Sequence, residues 1–268
     1  MTSGLKVLVV GGDMFLGRIL RTRLPEWGFS VRAIENAAFE AASAKEEVMV
    51  GSLTDLCFLE AACRDIDIVI DLSKLDLGRR GGGDLAYYAT GVANLWEAAR
   101  RCKVRRVISA TPDGVVGFYR RSAVLDHLSL PRPDGPAGVG GAFIESMASL
   151  YAYKHGISAL CIRMGSCRPE PTDERMLSTW ISPEDFLRLI RVGLTVDYTC
   201  EIVYGISANA RGWWDNANAL RLGYRPADRA EVFADALRGQ RSGNIIENVF
   251  QGGPTVAANF EGDIRRIP

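Results

Sequence analysis

Charge of one sign is missing from this sequence in any net amount: Lys plus Arg number 32 and Asp plus Glu number 32. Proteins that hold nucleic acid through its phosphates carry a basic excess, so that class is disfavoured. Apolar runs long enough to span a bilayer are also missing. The opening residues hold a single Lys and a short apolar stretch that runs straight into glycines, which reads as a first strand and not as a signal peptide. There is no C-x-x-C pair and no metal-ligand set. The six cysteines, Cys57, Cys63, Cys102, Cys161, Cys167 and Cys200, are scattered. That pattern argues against zinc and thioredoxin-like chemistry and for free thiols in a reducing cytoplasm. No repeat, low-complexity tract or evident interdomain linker interrupts the chain.

What is present is 268 residues, 47% hydrophobic and 24% charged. That is ordinary globular composition, and it excludes disorder, collagen and coiled coil as the main state. A chain this long buries about three quarters of its unfolded surface without a disulfide or metal staple.

The first half alternates strand and helix. Val7 to Val10 is a continuous apolar run ending at Gly11-Gly12, as a fully buried parallel strand should. A helix pattern follows over Phe15 to Leu24. Strands are predicted at Ser30 to Ile34, Glu46 to Val50, Ile66 to Asp71 and Val107 to Ala110, with helices at Leu53 to Cys63 and Asp84 to Cys102. Pro131 to Gly141 reads as a Pro/Gly-rich loop before a helix over Ala142 to Lys154. Strands follow at Ile157 to Met164 and Ile202 to Ile206, and Ser182 opens a further helix. Strands separated by single helices mean an α/β Rossmann-type doubly wound parallel sheet, here with a small C-terminal substrate lobe. The expected organisation is a single unit over 1–268, with a Rossmann core over 1–160 and mixed core and lobe over 161–268.

Between the first strand and the first helix lies Gly11-Gly-Asp-Met-Phe-Leu-Gly17, in the position of a dinucleotide-binding loop. Glu35 ends the second strand at the distance expected of a ribose contact. Met14 stands where such loops carry a middle glycine, and a side chain there would crowd the pyrophosphate. Asp13 would place a negative charge on the phosphate or cap the helix and consume the site. The expectation is that Gly11, Gly12, Gly17 and Glu35 form a vestigial or weak cofactor site, with NAD bound weakly or lost.

The strings Arg163-Met-Gly-Ser-Cys-Arg-Pro-Glu-Pro171, Arg175-Met-Leu-Ser-Thr-Trp180, Ser207-Ala-Asn209, Gly212-Trp-Trp-Asp-Asn216 and Phe250-Gln-Gly-Gly253 resemble the extended short-chain dehydrogenase/reductases, the NAD-dependent epimerase/dehydratase superfamily. Within it the chain looks most like the uronate dehydrogenases, over nearly its whole length. The resemblance implies NAD-dependent oxidation of a hexuronic acid at C1 to an aldarolactone. It also implies that Ser166 contacts substrate and that Arg175 grips the sugar-acid carboxylate, a task suited to a two-pronged guanidinium.

The resemblance breaks at the hydride machinery. The family's Tyr-x-x-x-Lys becomes Ala137-Gly-Val-Gly-Gly141, its Ser-Ser-Asn-His run becomes Thr111-Pro-Asp-Gly114, and a helix Asn becomes Tyr88. Positioned acid–base groups are typically worth ~10²–10⁴ in rate, so ordinary hydride transfer is expected to be very slow. New polar groups stand after the fourth and fifth strands: Lys74, Asp76 and Asp113 are the candidate proton-transfer groups. Lys74 is otherwise a surface charge paired with Asp, and Asp113 is otherwise a turn residue. His127 beside Asp126, Cys167, Trp213-Trp214 and Arg120-Arg121 are weaker candidates, and His155 reads as a helix C-terminal charge.

The sequence therefore predicts a degenerate uronate-dehydrogenase-like protein working as a non-redox lyase, isomerase, cyclase or dehydratase. Its substrate would be a small carboxylated or polyhydroxylated molecule, with no membrane or nucleic-acid partner and with a homo-oligomer compatible. The alternatives are an NAD-dependent oxidoreductase of sugar acids with atypical catalytic residues, and a catalytically inactive binding or regulatory protein.

Overall fold

The computed structural model describes residues 4–73 and 85–268. In chain order the elements are β1 (Lys6–Val10), α1 (Phe15–Glu26), β2 (Ser30–Glu35), β3 (Glu47–Val50), α2 (Leu56–Cys63), β4 (Ile68–Asp71), α3 (Leu85–Arg101), β5 (Arg106–Pro112), α4 (Pro136–His155) and β6 (Ser158–Met164). They continue as β7 (Ser166–Cys167), α5 (Met176–Thr179), β8 (Trp180–Ile181), α6 (Pro183–Thr195), β9 (Cys200–Gly205), α7 (Ala217–Arg221), α8 (Ile245–Val249) and α9 (Pro254–Ala257). Seven strands form one sheet in the order β3-β2-β1-β4-β5-β6-β9. The direction of travel reverses between β1 and β4, the switch point at which such sheets open a crevice. The α/β doubly wound fold read from the sequence is the fold observed.

Two compact units make up the chain: Met1–Ala110, Phe143–Cys161 and Asp197–Glu201, and then Thr111–Ala142, Ile162–Val196 and Ile202–Pro268. In the first unit β1 pairs in parallel with β2 and β4, and Val10 stands opposite both Ile34 and Asp71. Val7 to Val10 are at most 1% exposed, which is why this strand shows no polar alternation. α1 packs inward through Leu16, Leu20 and Leu24, and α3 through Val92, Leu95 and Trp96, each at helical spacing.

The second unit has two apolar clusters. Val115, Val116, Leu125, Tyr204, Ile206 and Trp214 form one, and Met176, Leu177, Trp180, Ala230 and Leu237 the other. Its buried polar centre is Asp185, fully buried in the first turn of α6. The carboxylate accepts from Ser207 Oγ at 2.6 Å, Ala227 N at 2.8 Å, Asp228 N at 3.1 Å and Arg188 Nη1 at 2.5 Å. Ser182 caps the same helix by accepting from Asp185 N at 2.9 Å, as its sequence signature suggests.

The largest departure from the sequence reading is at α4. It begins at Pro136, so the last residues of the expected loop, Ala137 to Gly141, are helical. Glycine inside a helix costs about 1 kcal/mol relative to Ala, so three of them argue locally for a loop. Close packing overrides that cost. A Cβ at Gly138 would lie 2.3 Å from the Gly114 carbonyl oxygen, and one at Gly141 would lie 2.5 Å from Val115 Cγ2. Pro136 suits the first helical position, where its missing N–H removes no helical bond.

Because Asp185 is buried and bonded from three segments, truncating it strands those partners. Asp185→Ala is expected to lower unfolding free energy by about 3–5 kcal/mol. Urea unfolding of the variant beside the parent measures it.

Candidate functional site

In the first unit the loop after β1 is built on glycine by necessity. Gly11 has φ of +84°, a left-handed backbone that favours glycine. A Cβ at Gly17 would lie 2.2 Å from the Gly11 carbonyl oxygen, so α1 can start this close to the loop only without a side chain there. Gly11 N and Gly12 N both donate to the Ile34 carbonyl at 3.2 Å.

One expectation about this loop is corrected. Asp13 neither caps α1 nor presents a free charge. Its carboxylate is held by Arg18 through two bonds of 3.0 Å, which keep it below its ordinary pKa. The cap position is Met14, which makes no side-chain bond, and α1 has no acidic residue in its first turn. The first N–H groups of α1 thus receive no side-chain cap and carry the positive end of the helix dipole. The Met14 side chain lies against the loop, its Sδ 3.0 Å from where a Cβ on Gly11 would stand. With Gly11, Glu35, Asn36, Ser73 and Tyr88 it lines a cavity of about 140 Å³. Glu35 ends β2 at its rim, accepting from Asp13 N at 3.2 Å and from Asn36 N at 3.4 Å. An uncapped helix terminus and an acid at the end of β2 are the donor set and acceptor that a dinucleotide needs.

The second unit holds a polar cluster around Arg175. Asp113 opens a short 3-10 turn after β5, and its carboxylate accepts from Arg175 Nη2 at 3.1 Å. Arg175, just before α5, also donates from Nε and Nη2 to the Gln251 carbonyl at 2.9 and 2.6 Å. Gln251 is itself fixed, donating to the Arg120 and Ala123 carbonyls and accepting from Trp214 Nε1. Among the described residues Nη1 of Arg175 makes no hydrogen bond, whereas Nε and Nη2 are engaged. Ser166, on β7, faces Thr179 at 3.4 Å between hydroxyl oxygens. Asp113 and Arg175 are thus brought together by the fold although 62 positions apart.

Sequence reasoning missed Asp134. Only 9% exposed, it sits two residues before α4, and its Oδ1 is buried with no hydrogen-bond partner. Burial, and secondarily the Asp113 charge, push its carboxyl up to about 7 against the opposing pull of Arg175. In the sequence it stands in Pro-Asp-Gly, which reads as a turn, and nothing local marks it as buried.

Other candidates separate. Lys74 and Asp76 lie outside the described residues. The Asp126 carboxylate is engaged by Leu128 N and Ser129 Oγ in its own turn, which leaves no relay through His127. Burial pushes the Cys167 thiol up to about 12, away from nucleophilic use. Trp214 stacks on Tyr204 at 5.0 Å between ring centres and serves packing. Among the described residues no acidic, His or Cys group could hold a metal, and no helix is long and apolar enough to cross a membrane.

The model of the family described as "NAD dependent epimerase/dehydratase family" matches residues 7–183. A uronate dehydrogenase of Pseudomonas syringae pv. tomato is 36% identical over 96% of this chain and 95% of its own. A glucuronic acid dehydrogenase from Chromohalobacter salexigens superposes with a TM-score of 0.86 at 32% identity, over 94% of this chain and 97% of that one. A uronate dehydrogenase from Agrobacterium tumefaciens with one tyrosine replaced by alanine, complexed with NAD, superposes with a TM-score of 0.85 at 32% identity, over 95% of this chain and 98% of that one. These matches overturn two expectations. A non-redox enzyme with a degenerate site does not fit near full-length likeness to dehydrogenases. Weak or lost NAD binding, expected from Met14 and Asp13, does not fit either, since a dehydrogenase 32% identical to this chain is found complexed with NAD. The chain belongs to the NAD-dependent epimerase/dehydratase family, among the homologues of uronate dehydrogenase.

Proposed function

We propose that this protein is an NAD-dependent oxidoreductase that oxidises a hexuronic acid at C1, working in a reducing cytoplasm. The observation that carries the reading is the 36% identity to a uronate dehydrogenase over 96% of the chain. The geometry of each unit supports it. In the first, Gly11, Gly12 and Gly17 shape the loop, the free N–H groups of α1 would meet the pyrophosphate, and Glu35 would accept from the ribose hydroxyls. NAD, when bound, supplies the hydride acceptor.

In the second unit, Nη1 of Arg175 would take the substrate carboxylate, with Ser166 as a neutral hydroxyl contact. Asp113 and the Gln251 carbonyl hold the guanidinium from its other side, so the fork is oriented before substrate arrives. The Asp113 carboxylate offsets the positive charge of Arg175, which favours a ligand that adds hydroxyl contacts to its carboxylate over a bare small acid. With Ala137 and Gly141 at the family's Tyr and Lys positions, the proton acceptor has to come from elsewhere in this unit. The six cysteines are free and fit a reducing compartment.

The cofactor half of the reading predicts a clear preference. NAD is expected to bind with a micromolar dissociation constant, and NADP at least ~10-fold more weakly, because Glu35 would face its added phosphate. Calorimetry with both nucleotides checks this, and no heat from either would sink the proposal.

The substrate half turns on Arg175. Arg175→Ala is expected to weaken glucuronate binding by about 1.5–3 kcal/mol, roughly 10- to 150-fold, while NAD affinity stays as it was. Titration of glucuronate into the parent and variant proteins, each saturated with NADH so that no oxidation occurs, gives the two affinities to compare.

A further inference from the structure

We propose that the second unit carries a binding site for a phosphate monoester, in a basic cavity between the outer face of α6 and the segment after α7. The site shares no residue with the Arg175 cluster and does not depend on the dehydrogenase reading.

The cavity measures about 340 Å³, and three arginines, Arg188, Arg191 and Arg225, line it. Every lining residue belongs to the second unit. Two elements bring the arginines together. α6 buries Phe186, Leu187, Leu189, Ile190 and Leu194 on its inner face. Arg188, Arg191 and Thr195 fall at helical spacing on the opposite face, one above another. Arg225 arrives from a separate segment, by way of Gly223. That glycine has φ of +100°, left-handed backbone that turns the chain sharply where α7 ends. The turn is fixed by Gly223 N donating to the Leu220 carbonyl at 3.0 Å and Tyr224 N to the Ala219 carbonyl at 2.9 Å.

The guanidinium groups are anchored at one end and available at the other. Arg225 is exposed and donates from Nη1 to the Leu220 and Tyr224 carbonyls, both at 2.7 Å. Arg188, its side chain 42% exposed, donates from Nη1 to Asp185 at 2.5 Å and stands 3.5 Å from Asp228. Among the described residues Nε and Nη2 of both arginines make no hydrogen bond, and no Asp or Glu lines the cavity. Cations gathered in one concavity raise the local concentration of anions and are relieved by binding one.

The arrangement selects among anions. A planar carboxylate has two oxygens, which a single guanidinium fork satisfies. A phosphate monoester offers three to forks that approach from two separate elements. Val192, Val196 and Leu222 make the rest of the wall aliphatic, which suits the carbon body of an ester. The ligand class is therefore a phosphate monoester on a compact apolar or aromatic group.

The test is calorimetric titration of the full chain with phenyl phosphate, inorganic phosphate and benzoate, at low ionic strength and with the protein saturated with NADH. NADH keeps phosphate from the uncapped terminus of α1, so what is measured comes from elsewhere. Phenyl phosphate is expected to bind with a sub-millimolar dissociation constant, and inorganic phosphate and benzoate each at least ~10-fold more weakly. Arg191→Met and Arg225→Met are each expected to weaken phenyl phosphate at least ~10-fold. Arg238→Met removes an equal charge from an exposed pair elsewhere in the unit and is expected to change nothing, as is Arg175→Ala. The Arg225 Nε–H resonance, identified by its disappearance in Arg225→Met, is expected to shift as phenyl phosphate is added. No binding up to about 10 mM, or parent-like affinity in both the Arg191 and Arg225 variants, would overturn the site. So would an equal loss in Arg238→Met, which marks a response to net charge alone. Benzoate binding as tightly as phenyl phosphate would overturn the phosphate class, and inorganic phosphate doing so would overturn the role of the aliphatic wall. Should Arg225→Met not fold, Arg191→Met on the outer face of α6 decides. Should NADH not bind, the dehydrogenase reading fails by itself, and the same variants titrated without it still decide the site.

Discussion

A buried carboxylate, Asp134, with one oxygen that finds no hydrogen-bond donor, is a constraint on the packing of the second unit. Backbone without side chains surrounds Asp134, with Gly114 and Gly117 from the turn after β5 and Gly252 from a segment far along the chain. The same demand for close approach brings the start of α4 against the turn after β5, which in turn requires Gly138 and Gly141. That turn places Asp113 on Arg175, and Arg175 is set by the Gln251 carbonyl one residue before Gly252. Glycine, carboxylate and guanidinium are in this sense one packing solution and not a series of independent replacements. A lysine at position 141 could not be restored without moving Val115 and Pro112, whatever its chemistry would contribute.

The first unit depends on a different constraint, the absence of a side-chain cap at α1. Asp13 is adjacent to the helix and could have satisfied its N–H groups, but Arg18 holds it instead. The positive end of the helix is thereby kept for an external anion, and Glu35 remains at the end of β2. A uronate dehydrogenase with one tyrosine replaced by alanine is still found complexed with NAD.

Much of the fold was legible because burial writes itself into local pattern. Val7 to Val10 are apolar throughout because both faces of β1 are covered, and Ser182 announces α6 because capping is a local interaction. The start of α4 was not legible, since its glycines answer to contacts with residues more than twenty positions away in the turn after β5 and not to helix propensity. The site divides in the same way. Glu35 and the glycine loop could be found by spacing, and Arg175 by resemblance. The Asp113–Arg175 pair spans 62 positions, and Asp134 is hidden in a turn-like Pro-Asp-Gly, so only the fold reveals them. The misreading of Asp13 arose because an aspartate before a helix usually caps it, and a neighbouring arginine decided otherwise.

The central claim is that a redox reaction survives the loss of the family's tyrosine and lysine. Its most direct measurement is the appearance of NADH when the protein, NAD and glucuronate are mixed, together with identification of the sugar product. The account predicts one NADH formed per aldarolactone released, and none with glucose, which lacks the carboxylate that Arg175 would hold. Consumption of glucuronate without NADH, or no change in either, would contradict it.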